Sequence, residues 1–308
     1  MDHIEKVHRG LLFTGQVEAC DGISVPFDTL PITIVQIGVC LVSYRGNQGS
    51  WVHRLYRRDL RVGGLDPVEE TLEMLERRQR RAGFDNSSRR DTLSDLARRG
   101  IMTFAERAVL MGISQAPWRM GHGNPAPYEL LTGSGMKELL ERSLDLLKQL
   151  VNHKKFVFVP SSPAERALLT IGNALRPLEF ALVDTLEDGI SRLVERGHYR
   201  GDWAGLVDRV REFGHDLGSR IVKGIYRGSV LSPVQIFYAH EDHAHEAALI
   251  AMADSVLQED RGFPMLIDLA DTLCGVTFGR ETLSGPVQMA YAEAGEPFRY
   301  LTEHQTRR

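Results

Sequence analysis

The sequence predicts a soluble α/β fold: a sheet covered by helices on at least one face. Three observations carry this. The run Ile32 to Tyr44 is long, apolar and almost uncharged; a strongly amphipathic helix, an apolar FVFV run and a second helix follow one another over 136–175; and two further strand-like runs, 221–226 and 234–239, lie close together near the end. At 308 residues and 43% hydrophobic composition, the chain can bury one large core.

The elements follow in order. Residues 1–15 form an amphipathic lead-in ending at Gly15, and 16–25 a first strand. Pro26 and Pro31 restrict the connection to the second strand, 32–44. RGNQGS at 45–50 has the composition of a hairpin turn, and 51–61 a strand with one basic face. Asp66 and Pro67 open a helix to about Arg81. A second helix starts at Asp91 or Thr92 and runs through Arg99, with 103–111 as a third piece. The Gly- and Pro-rich stretch 112–127 is expected to be a long irregular connection. Met136 to Val151 sets Leu139, Leu140, Leu144, Leu147 and Leu150 on one helical face. A buried strand FVFV, a helix over 161–175, a helix-prone polar region over 177–215 and the strands 221–226 and 234–239 come next. Helical pieces at 253–260, 263–273 and 280–292 close the domain, and 296–308 form a basic tail. A single domain over 1–308 is expected, with a helical insertion at about 66–110.

Bulk properties exclude several classes. The longest apolar run falls short of the roughly 20 residues that span a bilayer, and the charged N-terminus lacks a signal-peptide core, so the cytoplasm is expected. Three scattered cysteines, Cys20, Cys40 and Cys274, fit reduced thiols. A net charge of −4 is not that of a nucleic-acid-coating protein, although arginines come in pairs, among them Arg57-Arg58, Arg89-Arg90 and Arg98-Arg99. Those pairs suit phosphate contacts or, with the glutamates among them, a solvated helix face.

GxGxxG, GxxxxGK[ST] and GxSxG are all absent. His240, His243 and His245 suggest a zinc turn, but HEDHAH lacks the HExxH spacing and equally reads as a polar surface turn. The remaining chemistry lies in dispersed carboxylates: Asp21, Asp95, Glu106, Asp184 and Asp271. Hard divalent cations prefer such oxygen ligands. By local pattern Asp21 is open to two readings, a turn residue in Asp-Gly or a carboxylate on a buried strand.

Four stretches carry a family likeness. ACDGIS at 19–24, WRMGHGNPAPYELL at 118–131 running on to FVFVPSSPAERALLTIGNALR, GFPMLIDLADTL at 262–273, and EPFRYLTEHQTRR at the end together resemble the NurA family of DNA-end-processing nucleases, in particular its bacterial branch. The resemblance implies an RNase H-like α/β fold with a mixed central sheet flanked by helices. It implies a homodimer and Mn²⁺-dependent (or Mg²⁺-dependent) DNA cleavage, with a HerA-type hexameric ATPase as partner, in DNA repair or antiphage defence. Asp21 matches the family's first metal-binding aspartate, and Asp95 or Glu106 stands for the second acidic ligand. Two departures follow from the same comparison: VLMGIS puts Met111 where a further aspartate belongs, and Asp271 replaces a histidine. Methionine is no ligand for a hard cation, so the resemblance predicts metal at Asp21 and Asp271 with cleavage impaired. The alternative is a scaffold that docks on the ring ATPase and guides DNA past Arg57, Arg58, Arg89 and Arg90.

Overall fold

Strand β1 (Val17–Asp28) pairs antiparallel with β2 (Ile32–Ser43), setting Asp21 opposite Cys40. The computed structural model describes residues 2–29, 32–58, 94–161, 165–196, 199 and 203–298. Nearly every residue of β2 is buried, which explains its unbroken apolar run: a strand covered on both faces has no polar side to alternate with. β3 (Gly46–Arg58) returns beside β2 after a two-residue turn at Tyr44 and Arg45. The hairpin is therefore tighter than RGNQGS suggests, and that segment is mostly strand. The expected helix from Pro67 and the pair Arg89-Arg90 lie outside the described residues.

Helix α1 (Asp2–Val7) leads into a short π-helical turn before β1. Helix α2 (Asp95–Gly112) begins at Ser94, whose side chain accepts the Ala97 N–H, and runs unbroken through Gly100. The two pieces expected here are one helix because its buried face packs along β1 and β2, and tertiary packing outweighs the local cost of a mid-helix glycine. That part of the expected insertion belongs to the core layer. The stretch read as an irregular connection contains β4 (Trp118–His122), parallel to β1. α3 (Tyr128–Leu131) and α4 (Lys137–His153) precede β5 (Phe156–Val159), which is parallel to β4.

α5 (Arg166–Gly172) is shorter than expected. β6 (Glu179–Thr185) is a strand where a helix-prone region was expected, followed by α6 (Glu187–Glu195) and α7 (Ala204–Asp216). β7 (Ile221–Arg227) and β8 (Gln235–His240) match the expected pair. α8 (Ala244–Val256) starts nine residues before the helix expected at Ala253. It is buried almost all round, so it shows no amphipathic stripe to betray its start. α9 (Met265–Phe278) and α10 (Arg280–Glu293) complete the described elements.

The eight strands form one mixed sheet in the order β3-β2-β1-β4-β5-β8-β7-β6. α2, α4, α6 and α7 contribute to the core on one face, α8 and α9 to the core on the other. Successive residues of β1 alternate between them: Val17 and Ala19 face α8 and α9, Cys20 faces α2. This is the helix-flanked, RNase H-like sheet that the resemblance implies.

Candidate active site

The ladder between β1 and β4 ends at the pair Cys20 and Gly121. Asp21 and His122 are the next residues on each strand, where two parallel neighbours part. In open α/β sheets that is where a crevice forms. Asp21 is buried, and its Oδ1 accepts the Gly22 N–H at 2.8 Å and lies 3.3 Å from Nδ1 of His122. Asp21 is thus a strand residue, and the turn reading of Asp-Gly is set aside.

The other side of the imidazole is held by Ser161, just past β5. Its hydroxyl lies 2.9 Å from His122 Nε2, and its backbone N–H donates to the same nitrogen at 3.3 Å. A backbone N–H can only donate, so Nε2 is the bare nitrogen of the neutral ring and the Nδ1 proton faces Asp21. Asp21, His122 and Ser161 are linked side by side, from the middle of β1 across the carboxyl ends of β4 and β5.

Glu106 reaches the same place from α2. It is buried, and a Cβ at residue 22 would come within 2.7 Å of its Oε1, so only glycine lets the carboxylate lie this close to β1. Burial pushes Glu106 up to about 7; the adjacent Arg107 pulls down, while the charge of Asp21 pushes up. Asp271 comes from α9 on the opposite face; partial burial and then the charge of Asp21 raise its carboxyl. For His122, burial disfavours the charged ring, but the hydrogen bond to Asp21 and the charges of Asp21 and Glu106 outweigh it, and its proton is held above the ordinary histidine value. Each group senses Asp21, which makes it the electrostatic centre of the cluster.

Of the residues expected here, Glu106 lies against Gly22, next to Asp21, and Asp271 is near enough for the charge of Asp21 to raise its carboxyl. Asp95 is not among them: it is exposed in the first turn of α2, pairs with Arg98, and stands 11 residues, or ~16 Å along the helix axis, from Glu106. It lines an open hollow with Ser24, Arg98 and Arg99. Met111 lies five residues beyond Glu106, turned ~140° around the helix, and packs against the hydrophobic core. Asp184 is in β6, 3.6 Å from Lys223. Arg57 and Arg58 end the edge strand β3.

The three histidines of HEDHAH have separate surroundings. His240 is buried and its Nδ1 accepts the Asp242 N–H; His243 packs edge-on to Trp118 and His245 to Phe180. Among the described residues no three His, Cys, Asp or Glu side chains are gathered as a ready-made ion site, here or around Asp21. Cys20, Cys40 and Cys274 are free and buried.

His122 is the residue that sequence reasoning missed. Its only signal was its position in WRMGHG, where the histidine stands between two glycines.

No protein-family model matches the chain, and no curated protein sequence matches it significantly. Among solved structures, the chain is similar to a crystal structure of NurA with manganese, at 9% identity and a TM-score of 0.50, over 94% of this chain and 95% of that one. A second crystal structure of NurA matches at 8% identity and a TM-score of 0.50, over 93% and 94% of the two chains. The NurA nuclease from Sulfolobus solfataricus matches at 10% identity and a TM-score of 0.45, over 90% and 84%. The likeness runs through nearly the whole of both chains, and the fold of this chain is NurA-like.

Proposed function

We propose that the chain is a NurA-like nuclease that hydrolyses phosphodiester bonds at DNA ends, using Asp21, Glu106, His122 and Asp271. The observation that carries this reading is the contact of His122 with Asp21 where β1 and β4 part, with Glu106 against Gly22 and Asp271 near enough for the charge of Asp21 to raise its carboxyl. Three carboxylates with Arg107 as the nearby buried cation leave a demand for positive charge, and carboxylate oxygen with one imidazole suits Mn²⁺ or Mg²⁺. Asp21 and Asp271 would hold the cation, with Glu106 completing the set; Asp271 is exposed. A bound cation supplies the positive charge that offsets charge building up on the phosphoryl oxygens.

The chain's own residues handle the proton. Nε2 of His122, the acceptor of the neutral ring, faces Ser161, so the proton of an attacking water reaches it through the Ser161 hydroxyl, which gives its own proton to Nε2 as it takes the water's, and Asp21 stabilises the charged ring. Because His122 stands beside Asp21, we read the chain as competent in cleavage.

Labelled single- and double-stranded DNA, incubated with Mn²⁺, provides the test. Wild-type cleavage that disappears in Asp21→Ala is the expected result. Wild type inert with every divalent cation, including in the presence of a hexameric ATPase partner, leaves the scaffold reading, in which salt-sensitive DNA binding survives loss of Asp21. The HerA-type partner, the homodimer and a role in repair or defence belong to the same proposal; co-migration of the chain with a ring ATPase on gel filtration addresses the first.

A further inference from the structure

The side chain that ties this site together is one that takes no part in the chemistry above. Arg107 is almost fully buried, and all five of its N–H donors are used. Nε donates to the carbonyl of Pro125 at 3.3 Å; one terminal nitrogen donates to the Thr103 carbonyl at 3.2 Å and to Glu106 Oε2; the other donates to the carbonyls of His122 at 3.2 Å and Asn124 at 2.6 Å. Its guanidinium carbon lies 5.1 Å from the centre of the Phe158 ring. Neighbouring residues on a helix point ~100° apart, yet the arginine bends back onto the carboxylate beside it. The loop it grips passes through Gly123 at φ +84°, a left-handed conformation that brings three carbonyls round one cation.

We propose that Arg107 is the positioning residue of this site, fixing the Glu106 carboxylate and the backbone carrying His122 as one unit, so that both face Asp21. The inference rests on the reading of the cluster as a cation-binding nuclease site. Lysine cannot replace this arginine: one ammonium has three donors and no planar fork, and must abandon part of the loop.

The test uses the full chain as wild type, Arg107→Lys and Arg107→Gln. Mn²⁺ affinity is read from the spin-resonance signal of the free ion. The His122 tautomer is read from its ring ¹⁵N shifts without metal. Expected in both variants are at least tenfold weaker Mn²⁺ binding and a His122 ring that leaves its single tautomer, with thermal unfolding still cooperative. Folded variants that keep wild-type Mn²⁺ affinity and ring shifts overturn the proposal. If wild type binds no Mn²⁺, the cation reading fails, and the ring shifts in the variants still decide the role of Arg107.

Because a buried arginine resists replacement, Asn124→Ala is the companion variant. Asn124 Oδ1 accepts the Ala126 N–H at 2.9 Å, so its side chain shapes the loop whose backbone carbonyls Arg107 holds, and the substitution leaves the arginine itself in place. It is expected to shift Mn²⁺ affinity and ring shifts in the same direction. If Arg107 variants do not fold and a folded Asn124→Ala behaves as wild type in both readouts, the proposal falls.

Discussion

Asp21 contacts His122, and its charge acts on Glu106 and Asp271, so its removal is expected to be the most damaging single change. Asp21→Asn keeps the shape and one acceptor but removes the charge that favours protonated His122. A loss of about 10²–10⁴ in cleavage rate is expected, the range for a positioned general base and its partner. Steady-state cleavage with Mn²⁺ checks it, and a loss below tenfold places the chemistry elsewhere. Glu106 gives a second, signed expectation. Burial holds its proton to about pH 7, and a cation must displace that proton to use the carboxylate. Mn²⁺ affinity is expected to rise with pH through about 7, and the rise to flatten in Glu106→Gln; calorimetric titration at several pH values measures both. Asp95 illustrates what residue type alone leaves open. Asp95 and Glu106 are acidic residues of one helix, and only the helix's placement over Gly22 separates a ligand candidate from a surface ion pair.

Among the elements, α9 carries Asp271 and Cys274 across from β1, and its start is held by a buried group of α8. Asp254 accepts the Leu266 N–H at 2.8 Å on one oxygen and the Tyr44 hydroxyl on the other. Burial pushes its carboxyl up to about 6. The folded state therefore keeps a proton that the unfolded chain releases near pH 4, and stability falls as pH rises from about 4 through 6. Asp254→Asn is expected to remove that slope while costing about 1–3 kcal/mol from the acceptor it loses, as read by urea unfolding between pH 4 and 8. At the same scale lies the sharpest gap between sequence and structure. β5 was legible because FVFV is uniformly apolar, and α4 because its leucines fall on one face. β4 was not: its five residues include a buried arginine and a glycine, and its strand character comes from β1 and β5 on either side. With β4 went His122. β6 was hidden differently, since an edge strand with mixed exposure shows no clean alternation.

For the whole molecule, the open hollow at the start of α2 is relevant to DNA. Arg98 and Arg99 line it with Ser24, three residues along β1 from Asp21. Arg99 is largely exposed, with Glu129 3.4 Å away. If the DNA backbone follows this hollow, Arg99→Ala should weaken binding on all sequences alike and lower the salt slope by about one. Fluorescence anisotropy at graded salt measures it, and an unchanged slope places the path elsewhere. No helix among the described residues is long and apolar enough to cross a membrane, which agrees with the sequence reading. By itself the sequence determined the α/β class, the long buried β2, the amphipathic α4, the β7 and β8 pair, and Asp21 as the residue to watch, because each is written in local periodicity or in one short motif. The tertiary structure alone decided that β4 joins β1, that Glu106 rather than Asp95 lies against Gly22, that Met111 packs against the core and that His122 stands beside Asp21. Those are contacts between residues far apart in the chain, set by strand pairing and helix packing, and no local pattern encodes them.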